Sequence, residues 1–446
     1  MVANAFSGVG FTPEAPTVFE FPIEMFIPGS DLSPIEENVD KIVFGLTGWK
    51  PKAGAERAAP ARITVEANDY EGLTRNLNNL LLRDFGGDGL PLLPPTEERV
   101  NWILTGTDVP RDTVVGRILP QGRIATIEAL AVNLAMAGGR PEYLPVLIAA
   151  IEAIVDPAVT HQVFNATTCS TYPALVVNGP VAKDIRLNSG YGCLGPHPRY
   201  PAGACIGRAV RLIQLNLGGA MPGVGSMAIF GGASRYTNVV FAEDEDGLPA
   251  TWDPLNTSYF GFPRGTSTVA VHPVGGSTNI NEASVGTPET ALMTLHTISR
   301  TMSTPNWNYW LSVSGFAPGE GCPGILLLAR GTAKGLAQFG WSKKRVKEFL
   351  WDASKVPYSV VEGGYYPYRL KASLETHRPY LAANEAWPIT SVPENIMIVV
   401  AGGQQSGHAY WMQVGTGRKP ACKPIRLPGN WQQLLKKADQ DLGPRP

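Results

Sequence analysis

Residues 165–211 concentrate the side chains of this chain that could do chemistry. This stretch contains three of the five cysteines and one of the six histidines, namely Cys169, Cys193, Cys205 and His197. Cys169 follows two threonines and precedes a serine, just before an apolar run. A thiol in such a turn can act as a nucleophile or a redox group when a nearby cation favours the thiolate. Cys169 is therefore a candidate nucleophile, and packing as a small buried residue is the alternative.

Two histidines beside prolines are candidate general bases. His197 lies between two prolines and His272 precedes Pro273, so the backbone holds both rings rigidly. The spacing of Cys193, His197 and Cys205 matches no standard zinc or iron signature, so no metal site is predicted. The glycine pattern that starts at Gly223 follows a predicted helix rather than a strand, which argues against a dinucleotide loop. The sequence therefore names no cofactor.

Arginines and glycine-rich strand ends supply the candidate substrate-binding residues. Guanidinium groups hold carboxylates and phosphates through paired hydrogen bonds, and the candidates for this clamp are Arg123, Arg199 and Arg208. Several apolar runs end in similar loops, such as VVNGP and VVAGGQQSGH. Ligands of open α/β sheets bind outside the carboxyl ends of strands, where glycine lets backbone amides approach. The sequence therefore predicts one hollow lined by Asn178, Gly179, Gly402 and Gly403 together with the thiol, the histidines and the arginines.

The elements that must hold these residues alternate between strands and helices. Tyr172–Asn178 is a β-prone run closed by Gly-Pro, and Gly203–Leu217 has apolar residues at helical spacing. Ile124–Ala137 reads as a buried helix, and Thr268–Val271 as a strand that the segment His272–Ser277 closes. Thr96 and Ser342 are predicted to cap helices. This alternation predicts an α/β fold with mixed or mostly parallel sheets flanked by helices.

Three regions follow from the composition along the chain. Residues 1–62 form a proline-rich extended arm whose apolar run FEFPIEMFIPG must cover its own body or a neighbouring subunit. Residues 63–235 are predicted to be an α/β domain that contains the central stretch. Residues 236–446 are a second α/β domain or the second half of one large domain. A homo-oligomer, joined by the arm, is expected.

Two acidic segments are interpreted as structural. Asp88 precedes Gly89, so a turn is favoured over an active-site carboxylate. The run Glu243–Asp246 is predicted to be a solvated loop rather than a metal site.

Composition excludes several classes of function. The chain has 446 residues, 44% of them hydrophobic and 17% charged, with a formal net charge of −1. Without a basic excess, nucleic acid is not expected as a partner. The N-terminus lacks the pattern of a signal peptide, and the apolar runs are too short for a membrane span. Five unpaired-looking cysteines fit a reducing compartment, so a cytoplasmic protein with no membrane contact is expected.

Five segments resemble an uncharacterised bacterial family that is associated with UGSC-motif selenocysteine or cysteine proteins. They are GDGLPLLPPTEERV (87–100), NLAMAGGRPEYLPVLIAAIEA (133–153), ALVVNGP (174–180), CIGRAVRL (205–212) and IMIVVAGG (396–403). The resemblance implies a cytoplasmic α/β protein of small-molecule catabolism. The chain has no CGSC sequence, so the redox motif is not carried onto any residue.

The leading functional prediction is an enzyme that acts on a small anionic molecule. A lyase or hydrolase that cleaves a carbon–heteroatom bond is expected, with Cys169, His197 and His272 as catalytic candidates. A thiol-dependent reductase is one alternative. A non-catalytic subunit of a redox enzyme complex is the other.

Overall fold

A computed structural model describes most of the chain beyond the N-terminal region. The described residues are 29–50, 63–83, 86–303, 322–357, 386–390, 392–414 and 419–446. Most of the arm, residues 1–28 and 51–62, lies outside them. Residues 29–50 form two short helices, α1 (Ser33–Glu36) and α2 (Val39–Thr47). Within the described ranges, no helix has the length and apolar character needed to cross a membrane.

A seven-stranded mixed sheet, curled into a half-barrel, is the centre of the fold. Its strands are β3 (Tyr172–Asn178), β4 (Val239–Ala242), β5 (Thr268–Asn281), β6 (Gly324–Leu328), β9 (Met397–Val400), β10 (His408–Val414) and β11 (Ala421–Pro424). Two smaller antiparallel pairs are β1 (Val114–Ile118) with β2 (Arg123–Thr126) and β7 (Val356–Pro357) with β8 (Ala386–Trp387). The predicted α/β class with a mixed sheet is confirmed.

Helices cover the sheet from outside. Before β3 lie α3 (Tyr70–Arg83), α4 (Glu97–Leu104), α5 (Ile127–Met136), α6 (Leu144–Ile154) and α7 (His161–Ala166). After it come α8 (Val181–Asp184), α9 (Ala202–Asn216), α10 (Leu255–Ser258), α11 (Pro288–Met302), α12 (Arg330–Gln338), α13 (Lys343–Ala353) and α14 (Trp431–Leu442). The predicted caps are confirmed, since the hydroxyls of Thr96 and Ser342 accept from the amides of Arg99 and Arg345.

The strand order is β4-β3-β5-β10-β6-β9, and its pattern of parallel and antiparallel pairing is the same when read from either edge. In the first half, β3 crosses through α8 and α9 to its parallel neighbour β4, and β5 then returns antiparallel to β3. In the second half, β6 crosses through α12 and α13 to the parallel β9, and β10 returns antiparallel to β6. The two halves meet where β5 pairs with β10. Strands from 63–235 and from 236–446 therefore share one sheet.

Apolar side chains fill both faces of the sheet. On the outer face of the first half, Leu175 and Val177 pack with the helices that precede and follow β3. On the outer face of the second half, Leu326 and Val400 pack with α11, α12 and α13. The concave inner face is a third core that contains Phe241 and residues from both halves. Burial on both faces explains why these strands are continuous apolar runs rather than alternating ones.

The longest strand corrects the prediction for His272. β5 runs through to Asn281, so His272–Ser277 is strand and not a closing loop. His272 pairs with Ala174, and Pro273 lies directly opposite Pro173. Two prolines without N–H groups can face each other at a pair that exchanges no hydrogen bond. Local rules treat proline as a strand breaker, and they cannot anticipate this match between distant segments.

The helix predicted for Ile124–Ala137 also starts later than expected. Residues 123–126 form β2, and the helix begins at Ile127, where the Thr126 hydroxyl accepts from the Ala129 amide. By contrast, the predicted strand Tyr172–Asn178 is confirmed to the residue, and Gly203–Leu217 corresponds to α9 at Ala202–Asn216.

Candidate functional site

The carboxyl ends of the two parallel strand pairs meet, as the hollow predicted from the glycine-rich loops requires. The Asp244 amide donates to the Val400 carbonyl at 2.8 Å, which joins the end of β4 to the end of β9. The Gly402 amide donates to the Ser189 carbonyl, also at 2.8 Å. These bonds close the curled sheet at this end.

Buried carboxylates occupy this junction, which corrects the prediction of a solvated acidic loop. The Glu243 side chain is fully buried. It accepts from the Leu255 amide at 2.6 Å and from Asn178 Nδ2 at 2.7 Å. The Lys343 ammonium lies 3.7 Å from the Glu243 carboxylate. Burial lowers the pKa of Lys343, and the charge of Glu243 opposes that shift.

The next two acidic residues are also partnered. Arg330 holds Asp244 through two hydrogen bonds of 2.6 and 2.7 Å. Glu245 accepts from the Gly179 amide at 2.7 Å and from Asn178 Nδ2 at 2.9 Å. In this cluster every carboxylate has protein donors, so its members lock the strand ends together. Glu243, Asp244 and Glu245 with Asn178, Gly179, Arg330 and Lys343 are called the strand-end cluster below.

The candidate histidines do not reach the strand-end cluster. His272 is buried on the concave face, and neither ring nitrogen has a hydrogen-bond partner among the described residues. Burial lowers the pKa of His272 to about 3. His197 lies in a surface turn, where its Nδ1 accepts from the Arg199 amide at 3.1 Å. Arg199 is exposed.

Arg123, Arg208 and Cys169 have their contacts away from the strand-end cluster. Arg123 Nη1 donates to the Asn216 carbonyl at 2.8 Å. Arg208 holds Asp88 through hydrogen bonds of 2.8 and 3.0 Å. Cys169 is half-buried, and its carbonyl accepts from Arg235 Nη2 at 3.2 Å. Gly403 lies instead at the strand ends, where its carbonyl accepts from the Arg330 amide at 3.1 Å. The structure therefore separates the predicted site into several places.

A cavity of about 640 Å³ lies on the Arg208 side of α9. Its walls are α3, residues 86–92, α9 and the glycine-rich segment 221–236. Apolar side chains form most of the surface: Leu81, Leu82, Leu92, Leu215, Met221 and Phe230. Three charged residues also line it: Asp88, Arg211 and Arg235. Clefts of this size, mainly apolar with a few convergent polar groups, are typical binding sites for small molecules.

Arg211 is the unusual residue of the cavity. Its position three residues after Arg208 and four before Leu215 puts it on the cavity face of α9. It is only 8% exposed, yet it makes no hydrogen bond or ion pair with any described residue. Burial and the nearby charge of Arg235 together lower its pKa to about 10, and the charge of Asp88 opposes this shift. Arg211 therefore remains protonated at neutral pH without a counter-ion of its own.

Arg235 brings a second buried guanidinium to the cavity. It ends the short 3₁₀ helix Ala233–Arg235 and is 8% exposed. Its Nε donates to the Thr171 carbonyl at 2.8 Å, which fixes the side chain beside the Cys169 segment. Its Nη1 is buried without a partner in the described chain. Burial lowers the pKa of Arg235, and the Cys169 side chain opposes that shift.

Asp88 does not neutralise the two cavity arginines. Its carboxylate already accepts two hydrogen bonds from Arg208, and it also accepts from the Leu90 amide at 3.1 Å. The predicted turn at Asp88 is therefore present, and the same residue lines the cavity. Because Asp88 is hydrogen-bonded to Arg208, it makes no hydrogen bond to Arg211 or Arg235, and its charge offsets that of Arg211 only in part.

The glycine-rich segment forms an apolar rim around the cavity. Phe230 is 92% exposed and Tyr236 is 62% exposed. The segment is anchored to the start of the central stretch, since the amides of Ala228 and Ile229 donate to the carbonyls of Thr167 and Thr168. This segment therefore forms one wall of the cavity.

The sequence reasoning missed Arg211 and Arg235. A signal existed for the first, because Arg211 stands between Val210 and Leu212 on a helix whose apolar face is broad. Nothing local distinguished Arg235, whose burial depends on the cavity wall. Among the described residues, no three His, Cys, Asp or Glu side chains are grouped as metal ligands. Comparison of the chain with protein-family models, curated proteins and solved structures gave no match.

Proposed function

We propose that this chain is an enzyme that binds a small organic anion in the cavity. Arg211 and Arg235 hold the anionic group, and the apolar walls hold the rest of the molecule. The observation that carries this proposal is the buried Arg211, which lines the cavity and makes no hydrogen bond to any described residue. A buried charge without a partner costs several kcal/mol, so a protein tolerates it where a ligand supplies the missing charge. Arginine suits carboxylate and phosphate oxygens because its donors form a planar fork.

The reaction we propose is cleavage of a carbon–heteroatom bond by a lyase or hydrolase, with Cys169 as nucleophile. In the hydrolase form, the Cys169 sulfur attacks an electrophilic carbon as its thiol proton passes to the heteroatom, which leaves with the electron pair of the broken carbon–heteroatom bond. Water then attacks the same carbon, the S–C bond breaks, and a proton from the water returns to sulfur. The support is the position of Cys169, whose carbonyl is bound by a cavity arginine. His197 and His272 lie away from the cavity and have no role in this proposal.

Thiol labelling under a bound anion tests the nucleophile. We expect phenyl phosphate, used as the probe anion, to slow iodoacetamide labelling of Cys169, measured by peptide mass spectrometry. Cys205, whose Sγ lies 3.7 Å from the Gly138 carbonyl, serves as the internal control. We expect Cys169→Ser to keep anion binding and to lose turnover of any substrate found. If the bound anion does not change the labelling rate of Cys169, Cys169 is not part of the binding site.

The exposed apolar rim favours one further candidate, the non-catalytic subunit. Phe230 and Ile229 are 92% and 66% exposed, and such a patch can bind a partner protein. A subunit of this kind would not need the buried guanidiniums. Full anion affinity in the isolated chain therefore favours the enzyme over the subunit.

A cytoplasmic homo-oligomer remains part of the proposal. All five cysteines are free, which supports a reducing compartment. On α2, Phe44 and Leu46 are 59% and 83% exposed, which supports association through this region. We expect the double variant Phe44→Glu, Leu46→Glu to have a lower mass by light scattering than the parent chain. An unchanged mass would exclude α2 as the contact.

A further inference from the structure

We infer that the ligand of the cavity is a dianion, with both charges on one compact oxyanion head and an apolar body behind it. This inference rests on the proposed function and narrows it to a substrate class. Phosphate monoesters and compact dicarboxylates share this chemistry.

The number of uncompensated charges sets the charge of the ligand. Arg211 and Arg235 are both more than nine-tenths buried, and Asp88 is occupied by Arg208. A monoanion would neutralise one guanidinium and leave the other buried without a counter-ion, which is costly. A dianion neutralises both, so the second charge should contribute to affinity rather than merely be tolerated.

The free donors favour a head with several oxygens close together. Every N–H group of the Arg211 guanidinium lacks a partner among the described residues, and Arg235 has an unpartnered Nη1. Both arginines line the same cavity. A phosphoryl group or a malonate-type pair of carboxylates can accept from both arginines at once.

The remaining walls indicate an apolar body. Leu92 and Leu215 are 2% and 6% exposed, and Leu81 and Met221 also line the cavity. A cavity of about 640 Å³ is larger than a bare phosphate needs. Burying apolar atoms of the ligand against these side chains should therefore add to affinity.

Titration calorimetry with four matched probes tests the charge and the body separately. Phenylmalonate and phenylacetate share the phenyl group and differ by one carboxylate, while phenyl phosphate and inorganic phosphate differ by the phenyl group. At pH 7.5 we expect phenylmalonate or phenyl phosphate to bind about tenfold or more tightly than phenylacetate. We expect inorganic phosphate to bind more weakly than phenyl phosphate. The tighter of the two dianions identifies the phosphate or the dicarboxylate class.

Two substitutions locate the effect. We expect Arg211→Met to reduce the affinity of the preferred dianion to that of phenylacetate. Arg199→Met is the matched control, because Arg199 is exposed and lies outside the cavity, and we expect it to leave all four affinities unchanged. Circular dichroism of both variants shows whether they fold.

The outcomes separate this inference from the proposed function. Equal binding of phenylacetate and both dianions, abolished by Arg211→Met, overturns the dianion and leaves the anion cavity standing. Failure of all four probes to bind overturns both. Tight dianion binding that Arg211→Met does not change places the binding elsewhere and overturns both as well.

Discussion

The strand-end cluster and the cavity both bury charged side chains, but they satisfy them in opposite ways. At the strand ends, Glu243 and Asp244 accept from amides, an arginine and an asparagine. In the cavity, Arg211 has no protein acceptor in the described chain, and Arg235 is only partly satisfied. A buried charged group whose partners all belong to the protein stabilises the fold. A buried charged group without a protein partner marks a place where a ligand can bind.

Whether a buried charged group has a protein partner is a better guide to the binding site than the type of titratable residue. The sequence pointed to thiols and histidines, yet His272 is sealed in apolar surroundings and His197 caps its own surface turn. Neither residue combines an accessible cavity with an unmet need for a partner. The arginines of the cavity do combine them.

The largest expected effect comes from breaking the satisfied region. We expect Glu243→Ala to lower the free energy of unfolding by about 3–5 kcal/mol, because Lys343 and three hydrogen-bond donors lose their buried acceptor. Urea denaturation followed by fluorescence measures the change. Asp246→Ala is the matched control, since the Asp246 side chain is 66% exposed. Equal changes in the free energy of unfolding for the two variants would mean that the contacts of Glu243 do not stabilise the strand ends.

Acid should act through His161 and His272, the buried histidines of the described part of the chain. His161 accepts from the Leu119 amide at 3.0 Å, and burial lowers its pKa to about 4. Burial lowers the pKa of His272 to about 3. Both are neutral in the folded chain but take up a proton in the unfolded chain below its ordinary pKa. This contribution to stability is therefore complete above about pH 6.5. Below it, stability falls by up to about 1.4 kcal/mol per histidine for each pH unit, until the pH reaches the folded-state pKa of about 4 for His161 and about 3 for His272.

Substitution separates the partnered histidine from the unpartnered one. We expect His272→Leu to reduce the acid slope without lowering stability at pH 7.5, because its ring nitrogens lose no bond. His161→Leu should also reduce the slope, but it should destabilise the chain by about 1–3 kcal/mol, since the Leu119 amide loses its acceptor. Urea denaturation at several pH values measures both. An unchanged slope in His272→Leu would contradict burial of the neutral ring.

The unsatisfied region should respond in the opposite direction to the strand ends. We expect Arg211→Met to raise the free energy of unfolding by about 1–2 kcal/mol in the absence of ligand, because an unpaired charge is replaced by an apolar side chain. The same variant should bind the preferred dianion no more tightly than the parent chain binds phenylacetate. If Arg211→Met destabilised the chain as much as Glu243→Ala, Arg211 would have a structural partner. The cavity and the strand-end cluster would then not differ in how their buried charges are satisfied.

Which features the sequence could predict follows from the distance between partners. Tyr172–Asn178 and α9 were predicted closely because their periodicity is local. The burial of Asp244 could not be predicted from local patterns, since its partner Arg330 is 86 residues away in the sequence. The same holds for the proline pair that keeps His272 within a strand. Arg211 was within reach, but the anion clamp was assigned to Arg208, one turn earlier on the same helix.

The smallest expected effect comes from turning one satisfied charge of the cavity into an unsatisfied one. Asp88→Asn removes a negative charge from the wall and leaves Arg208 without its carboxylate. Because Arg208 already cancels most of the field of Asp88, we expect the affinity for phenyl phosphate to rise only severalfold, by about 1 kcal/mol or less. Calorimetry at two salt concentrations measures the gain, which should shrink as salt increases. A loss of affinity would contradict this expectation. It would show that Asp88 helps to position Arg211, and that the Asp88–Arg208 ion pair is part of the binding site.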